Sequence, residues 1–114
     1  MKVLTVKSPY AQQIIREGKY IENRSWNTLY RGSLLIHVSQ SPLFPESGFI
    51  IGVVDLIDCQ PPGSLFTMGN KWAIGGLYHW ILSNPRELKK PIPAKGNLSL
   101  WNYEIDIEEL NRLL

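Results

Sequence analysis

A chain of 114 residues, 44% hydrophobic and 19% charged, is sized and composed as a single globular domain spanning 1–114, with neither repeats nor low-complexity tracts. A net charge of +2 is no electrostatic footprint by itself. The lone Cys59 rules out an intrachain disulfide and a cysteine-built zinc site, and the longest apolar run, "FIIGVV", falls far short of the ~20 residues that span a bilayer.

"KVLTV" (2–6) is β-branched and alternating, which predicts a strand. "SPYAQQIIREG" (8–18) predicts a helix. Ser8 is expected as its N-cap, Pro9 at the first helical position and Gly18 just past its end. Ala11, Ile14 and Ile15 form one apolar stripe. "KYIENRSW" (19–26) predicts the second strand and "SLLIHVS" (33–39) the third. "FIIGVVDLIDC" (49–59) is the most apolar strand. Residues 60–76, punctuated by Gly and Pro, predict a long connection, and such loops are usually functional or mobile. "LYHWILS" (77–83) predicts another strand. Residues 84–97 predict irregular chain, with an edge strand at most, because of Pro91 and Pro93. "LSLWNYEI" (98–105) predicts the last strand, and "DIEELNRLL" a closing helix capped by Asp106. The order of elements argues against a parallel βαβ fold and for a small, partly open β-barrel with a helix near each end.

The second strand carries the most chemistry. Strict alternation puts Tyr20, Glu22, Arg24 and Trp26 on one face and Lys19, Ile21, Asn23 and Ser25 on the other. A Glu22–Arg24 pair beside Trp26 is either a charged solvent face or a platform for a planar polar ligand, the combination that recognises unpaired bases. Lys19 is either a helix-end cation or an amine aimed into a cleft. His37 shares a face with Leu35, opposite Leu34, Ile36 and Val38. It is either a satisfied strand histidine or a ligand contact, and His79 presents the same choice. No metal-ligand spacing exists, so neither a metal nor another cofactor is expected.

Charge is unevenly spread. Residues 1–32 hold six cations against two acids, and residues 86–95 hold Arg86, Lys89, Lys90 and Lys95 against Glu87. If these segments meet, they form a modest cationic surface.

Several motifs in a fixed order carry a family resemblance: the helix, GK-x-x-E-x-R at 18–24, RGxLLIH at 31–37, the GVV strand, the Y-x-W strand and KG-x-L-x-L-W at 95–101. From Leu4 to about Asn102 the chain resembles an ASCH domain, the family named for homology to a transcriptional coactivator, within the PUA-like superfamily. The resemblance implies an α+β, mostly β fold: a PUA-like barrel of five or six strands with a cleft beside the first helix. It implies RNA or a nucleotide as partner. Lys19, Glu22 and Arg24 would line the cleft, with Tyr10, Trp26 and Trp72 as stacking surfaces and His37 and Ser39 nearby. Arg24, Lys19, Arg31, Lys89, Lys90 and Lys95 would contact phosphate.

Some small ASCH proteins resemble hydrolases, acting on RNA or on N4-acetylcytidine through a lysine, a threonine and a glutamate. Here the lysine is Lys19, Glu22 stands at the threonine position, and residues 60–76 hold no acid. As an enzyme the chain would rely on Lys19 and Glu22. A third reading is a protein-interaction adaptor. With no signal-peptide or membrane segment in "MKVLTVKSPY", a soluble, cytoplasmic protein is expected.

Overall fold

The β-branched N-terminal run forms β1 (Lys2–Val6), and a computed structural model describes every residue from Met1 to Leu114. Helix α1 (Tyr10–Arg16) follows and buries the predicted stripe of Ala11, Ile14 and Ile15. Its N-cap is Pro9, without a side-chain cap bond, so Ser8 is not the cap. The Ser8 hydroxyl accepts from Gln12 Nε2 at 2.9 Å instead. Gly18, at φ +73°, ends the helix as expected.

Strand β2 is shorter than predicted, Ile21–Arg24, because only these residues pair with β5 (Tyr78–Pro93). The sheet continues through β3 (Gly32–Val38), β4 (Phe49–Gln60) and β6 (Leu100–Asn102) in the order β2-β5-β4-β3-β1-β6. β6 is confined to three residues that pair with Lys2–Leu4. β1 and β3 form the one parallel pair in an otherwise antiparallel sheet, with α1 and β2 in the crossover between them. β5 also runs on through Pro85, Pro91 and Pro93. Its other neighbour, β2, covers only Tyr78–Ile81, so the prolines lie on a free edge among register shifts, where a missing N–H breaks no ladder.

The six strands curl into a half-barrel with a core on each face. Leu4, Val6, Leu34, Ile36, Val38 and Trp80 pack with α1 on one face. Val3, Leu35, Ile50, Val53 and Leu88 pack on the other with Leu110 of α2 (Ile107–Leu113). Asp106 caps α2 as expected, accepting from Glu109 N at 2.7 Å. The helix α1 lies close over β4 because Gly52 has no side chain: a Cβ there would meet Ile15 Cδ1 at 2.6 Å and the Arg86 carbonyl oxygen at 2.7 Å.

An ion-pair cluster ties α1 down from outside. Arg16 donates to both oxygens of Glu46, at 2.7 and 2.5 Å, and to Glu87 at 2.8 Å. The bonds from Arg16 hold the Glu46 carboxyl below its ordinary value of 4.5. A depressed carboxylate stabilises the fold above its unfolded-state value and loses that contribution as pH falls through its folded value. Thermal melts of wild type should therefore drop as pH falls below about 4.5, and Glu46→Gln should flatten that part of the profile. An unchanged slope in Glu46→Gln would remove this pair from the acid response.

Candidate functional site

The open edges of the sheet are β2 and β6, and a cleft of about 790 Å³ lies between β2 and the end of β1 that β6 leaves uncovered. Helix α1 supplies Tyr10 and Gln13 to one wall; Lys71, Trp72 and Ile74, and residues 97–99, supply the others. Its base is an ionic chain. Glu22 Oε2 accepts from Arg24 Nε at 3.0 Å and lies 2.9 Å from Nη2, while Glu22 Oε1 is 3.6 Å from Lys19 Nζ. Arg24 Nη2 also donates to the Thr5 carbonyl at 2.8 Å, so its side chain spans the seam between β2 and β1.

Lys19 is only 4% exposed, and its ammonium donates to the Ile21 carbonyl. Burial lowers its pKa below the ordinary 10.5, the Glu22 carboxylate works against that shift, and the Arg24 charge adds to it. Two rings flank this ammonium: its Nζ is 5.6 Å from the Tyr10 centroid and 6.0 Å from that of Trp72.

Strict alternation does not describe this strand. Lys19 precedes β2 and, with its N–H bonded to Gln13 O at 3.1 Å, still belongs to the helix end, so its side chain meets Glu22. Tyr20 turns away from the cleft and bonds Asn70. Asn23, assigned to the opposite face, lines the cleft and hooks the 60–76 connection to β2. Its Nδ2 donates to Trp72 O at 2.9 Å, and its Oδ1 accepts from Ile74 N at 2.8 Å. His79 secures the same connection through Thr67 Oγ1 at 2.6 Å and Ile74 O at 2.7 Å, the satisfied strand histidine of the two alternatives.

Of the residues singled out from the sequence, Tyr10, Lys19, Glu22, Arg24, Trp26, Ser39 and Trp72 all line the cleft. His37 does not. Sharing the Leu35 face carries it to the α2 side, against Trp101. Its Nε2 donates to Ala94 O at 2.7 Å, which leaves Nδ1 to accept from the Thr5 hydroxyl at 3.1 Å. That hydroxyl accepts in turn from Trp101 Nε1 at 3.0 Å, so the imidazole is fully used in holding β3, β1 and the chain after β5 together. Arg31, Lys89, Lys90 and Lys95 also lie outside the cleft lining. Arg31 is held by the Thr28 and Tyr30 carbonyls, with Asp58 at 3.8 Å. The cleft takes its remaining cations from Lys7 and Lys71, to which sequence reasoning gave no role. Lys71 sits 4.8 Å from the Trp72 ring, and its position beside Trp72 in the chain was the available signal. The lining therefore holds four cations, Lys7, Lys19, Arg24 and Lys71, against one acid, Glu22. No group of three or more His, Cys, Asp or Glu side chains converges as a metal site. No helix is long and apolar enough to cross a membrane.

The family model of the ASCH domain matches residues 4–92. The chain belongs to the ASCH domain family. ASCH domains have a PUA-like fold associated with RNA binding. This ASCH domain is 26% identical, over 132 aligned positions, to Activating signal cointegrator 1 of Homo sapiens, and equally to that of Mus musculus. The alignments take in 93% of this chain but 23% of each relative, so the domain spans about a quarter of their length. Among solved structures, a mutant of the ZmASCH protein from Zymomonas mobilis superposes with a TM-score of 0.66 at 16% identity, over 98% of this chain and 94% of that one. The likeness shows the shared fold.

Proposed function

We propose that this ASCH domain binds single-stranded RNA, or a nucleotide within it, in the cleft between α1 and β2. The observation that carries the reading is the lining itself: four cations against one acid, with the flat rings of Tyr10, Trp26 and Trp72 among them. Cations supply sequence-independent attraction to phosphate, and rings take unstacked bases. Glu22 keeps Lys19 and Arg24 in place and offers an acceptor to a base edge.

The test is calorimetric titration with a short single-stranded RNA across a salt series. Affinity should fall with salt along a log–log slope of roughly −2 to −3, for three or four phosphate contacts. Lys71→Ala, a change at an exposed side chain, should reduce that slope by about 0.7. Binding that ignores salt, or that prefers a duplex, would sink the reading.

One observation favours a second reading, hydrolysis of RNA or of a modified nucleoside. Lys19 is a desolvated amine with a lowered pKa beside a carboxylate, a combination suited to stabilising a developing oxyanion while Glu22 moves a proton. Conversion of RNA or N4-acetylcytidine in the same samples, abolished in Lys19→Ala, would support it.

A further inference from the structure

Glu22 divides the cleft into two chemically different ends. Its Oε1 faces Lys19, and Lys19 brings Tyr10 and Trp72 with it. Its Oε2 faces Arg24, and Arg24 brings the β1 end. At the first end both rings flank a buried ammonium, and Asn23 fixes the backbone from the Trp72 carbonyl to the Ile74 N–H. A donor and an acceptor stand side by side there, Lys19 Nζ and Glu22 Oε1, which suits the mixed donor–acceptor edge of a base. A phosphate is poorly served at that depth, since the buried cation there, Lys19, already faces Glu22, while Lys71 lies exposed over the Trp72 ring at the mouth.

The second end is different. Lys7 follows β1, is exposed, and has no acidic partner. Ser39 sits beside it, its N–H bonded to Val6 O at 2.9 Å, the residue before Lys7. Arg24 uses Nε and Nη2 within the protein, leaving Nη1 without a partner. Thr5 and Ser99 also line the cleft. Two cations with unused donors among hydroxyls suit a phosphate better than a base edge.

We propose that the cleft is bipartite and holds one nucleotide unit in a fixed polarity, the base between Tyr10 and Trp72 over Lys19 and Glu22, and the phosphate between Lys7 and Arg24. The proposal rests on the reading that the cleft takes RNA or a nucleotide, and it assigns what each end recognises. Trp26 is then not the stacking ring. It packs edge-on against Trp80 at 4.7 Å and 87°, as part of the cleft's support.

Isothermal titration with the four common ribonucleosides and their 5′-monophosphates, on wild type, Lys7→Ala, Trp72→Ala and Tyr10→Ala, tests this. In wild type the phosphate should tighten binding by about fivefold or more. Lys7→Ala should erase that gain and leave nucleoside affinity within about twofold. Trp72→Ala should weaken nucleoside and nucleotide alike, by about tenfold. Tyr10→Ala, at a half-exposed helical position, should act in the same sense and serves if Trp72→Ala fails to fold. Lys7→Ala weakening both ligands equally, or a phosphate that adds nothing in wild type, would overturn the polarity while leaving RNA binding standing. Wild type that binds neither mononucleotides nor single-stranded RNA would remove the nucleic-acid reading and the polarity with it.

Discussion

Glu22→Ala is expected to lower the unfolding free energy by about 3–5 kcal/mol, far more than its position on a short edge strand suggests. The reason is what it leaves behind. The Glu22 side chain is 8% exposed and that of Lys19 only 5%, so the alanine variant strands a buried ammonium without its carboxylate. Lys19→Met should cost much less, because Glu22 keeps both contacts from Arg24 and no bare charge remains. The pH response separates the two. Lys19 titrates below its ordinary 10.5 in the folded protein, so between its folded and unfolded values the unfolded chain binds more protons and stability rises with pH. Without Glu22, whose charge and hydrogen bond raise the Lys19 value, the folded value falls further and that window widens downward. Urea unfolding in steps from about pH 6 up to about 10.5 should show Glu22→Ala gaining stability relative to wild type as pH rises, with Lys19→Met lacking that gain. Equal losses in the two variants, with no pH recovery, would show that the site is held by packing rather than by this carboxylate.

The contrast between the readable and the unreadable parts of this molecule follows from distance along the chain. Helix α1 was legible because Ala11, Ile14 and Ile15 recur at helical spacing and Gly18 stops the run. The sorting of β3 was legible for the same reason, with Leu34, Ile36 and Val38 on one core face and Leu35 and His37 on the other. What His37 does with that position was not, since its partners are Ala94 and Thr5, far off in sequence. Pro91 and Pro93 argued against a strand because nothing local says that β2 covers only the first residues of β5. In the site, motif order brought Lys19, Glu22 and Arg24 to attention, and the Glu22–Arg24 pair follows from strand alternation as expected, whereas Lys19 joins it from the helix end. Lys7, Asn23 and Lys71 went unread because each gains meaning from a tertiary event: the curl of the sheet that brings β1 to β2, or the return of the 60–76 connection over Asn23.

Trp80 is buried beneath the cleft wall and in contact with Trp26, and its loss is the other large effect. Trp80 is fully buried, lies opposite Glu22 in β2 and Cys59 in β4, and donates from Nε1 to the Trp26 carbonyl at 3.2 Å. Trp80→Ala removes the largest buried side chain, so about 3–5 kcal/mol of stability should go with it. Trp80→Phe is more informative. It keeps most of the apolar volume, loses the bond to Trp26, and should cost about 1–2 kcal/mol. Because Trp26 and β2 form the cleft wall that rests on this ring, RNA affinity should fall several-fold in a variant that is still fully folded at 25 °C. Leu110→Ala supplies the control. It opens a cavity in the core on the other face, beneath α2, with a cost of about 2–5 kcal/mol. Leu110 lies in the α2-side core and outside the cleft lining, so affinity per folded molecule should be unchanged. Denaturant melts and titrations on the same samples decide the matter. Affinity that tracks stability alone across all three variants would mean that the Trp26–Trp80 contact supports the fold in general and has no special part in shaping the cleft.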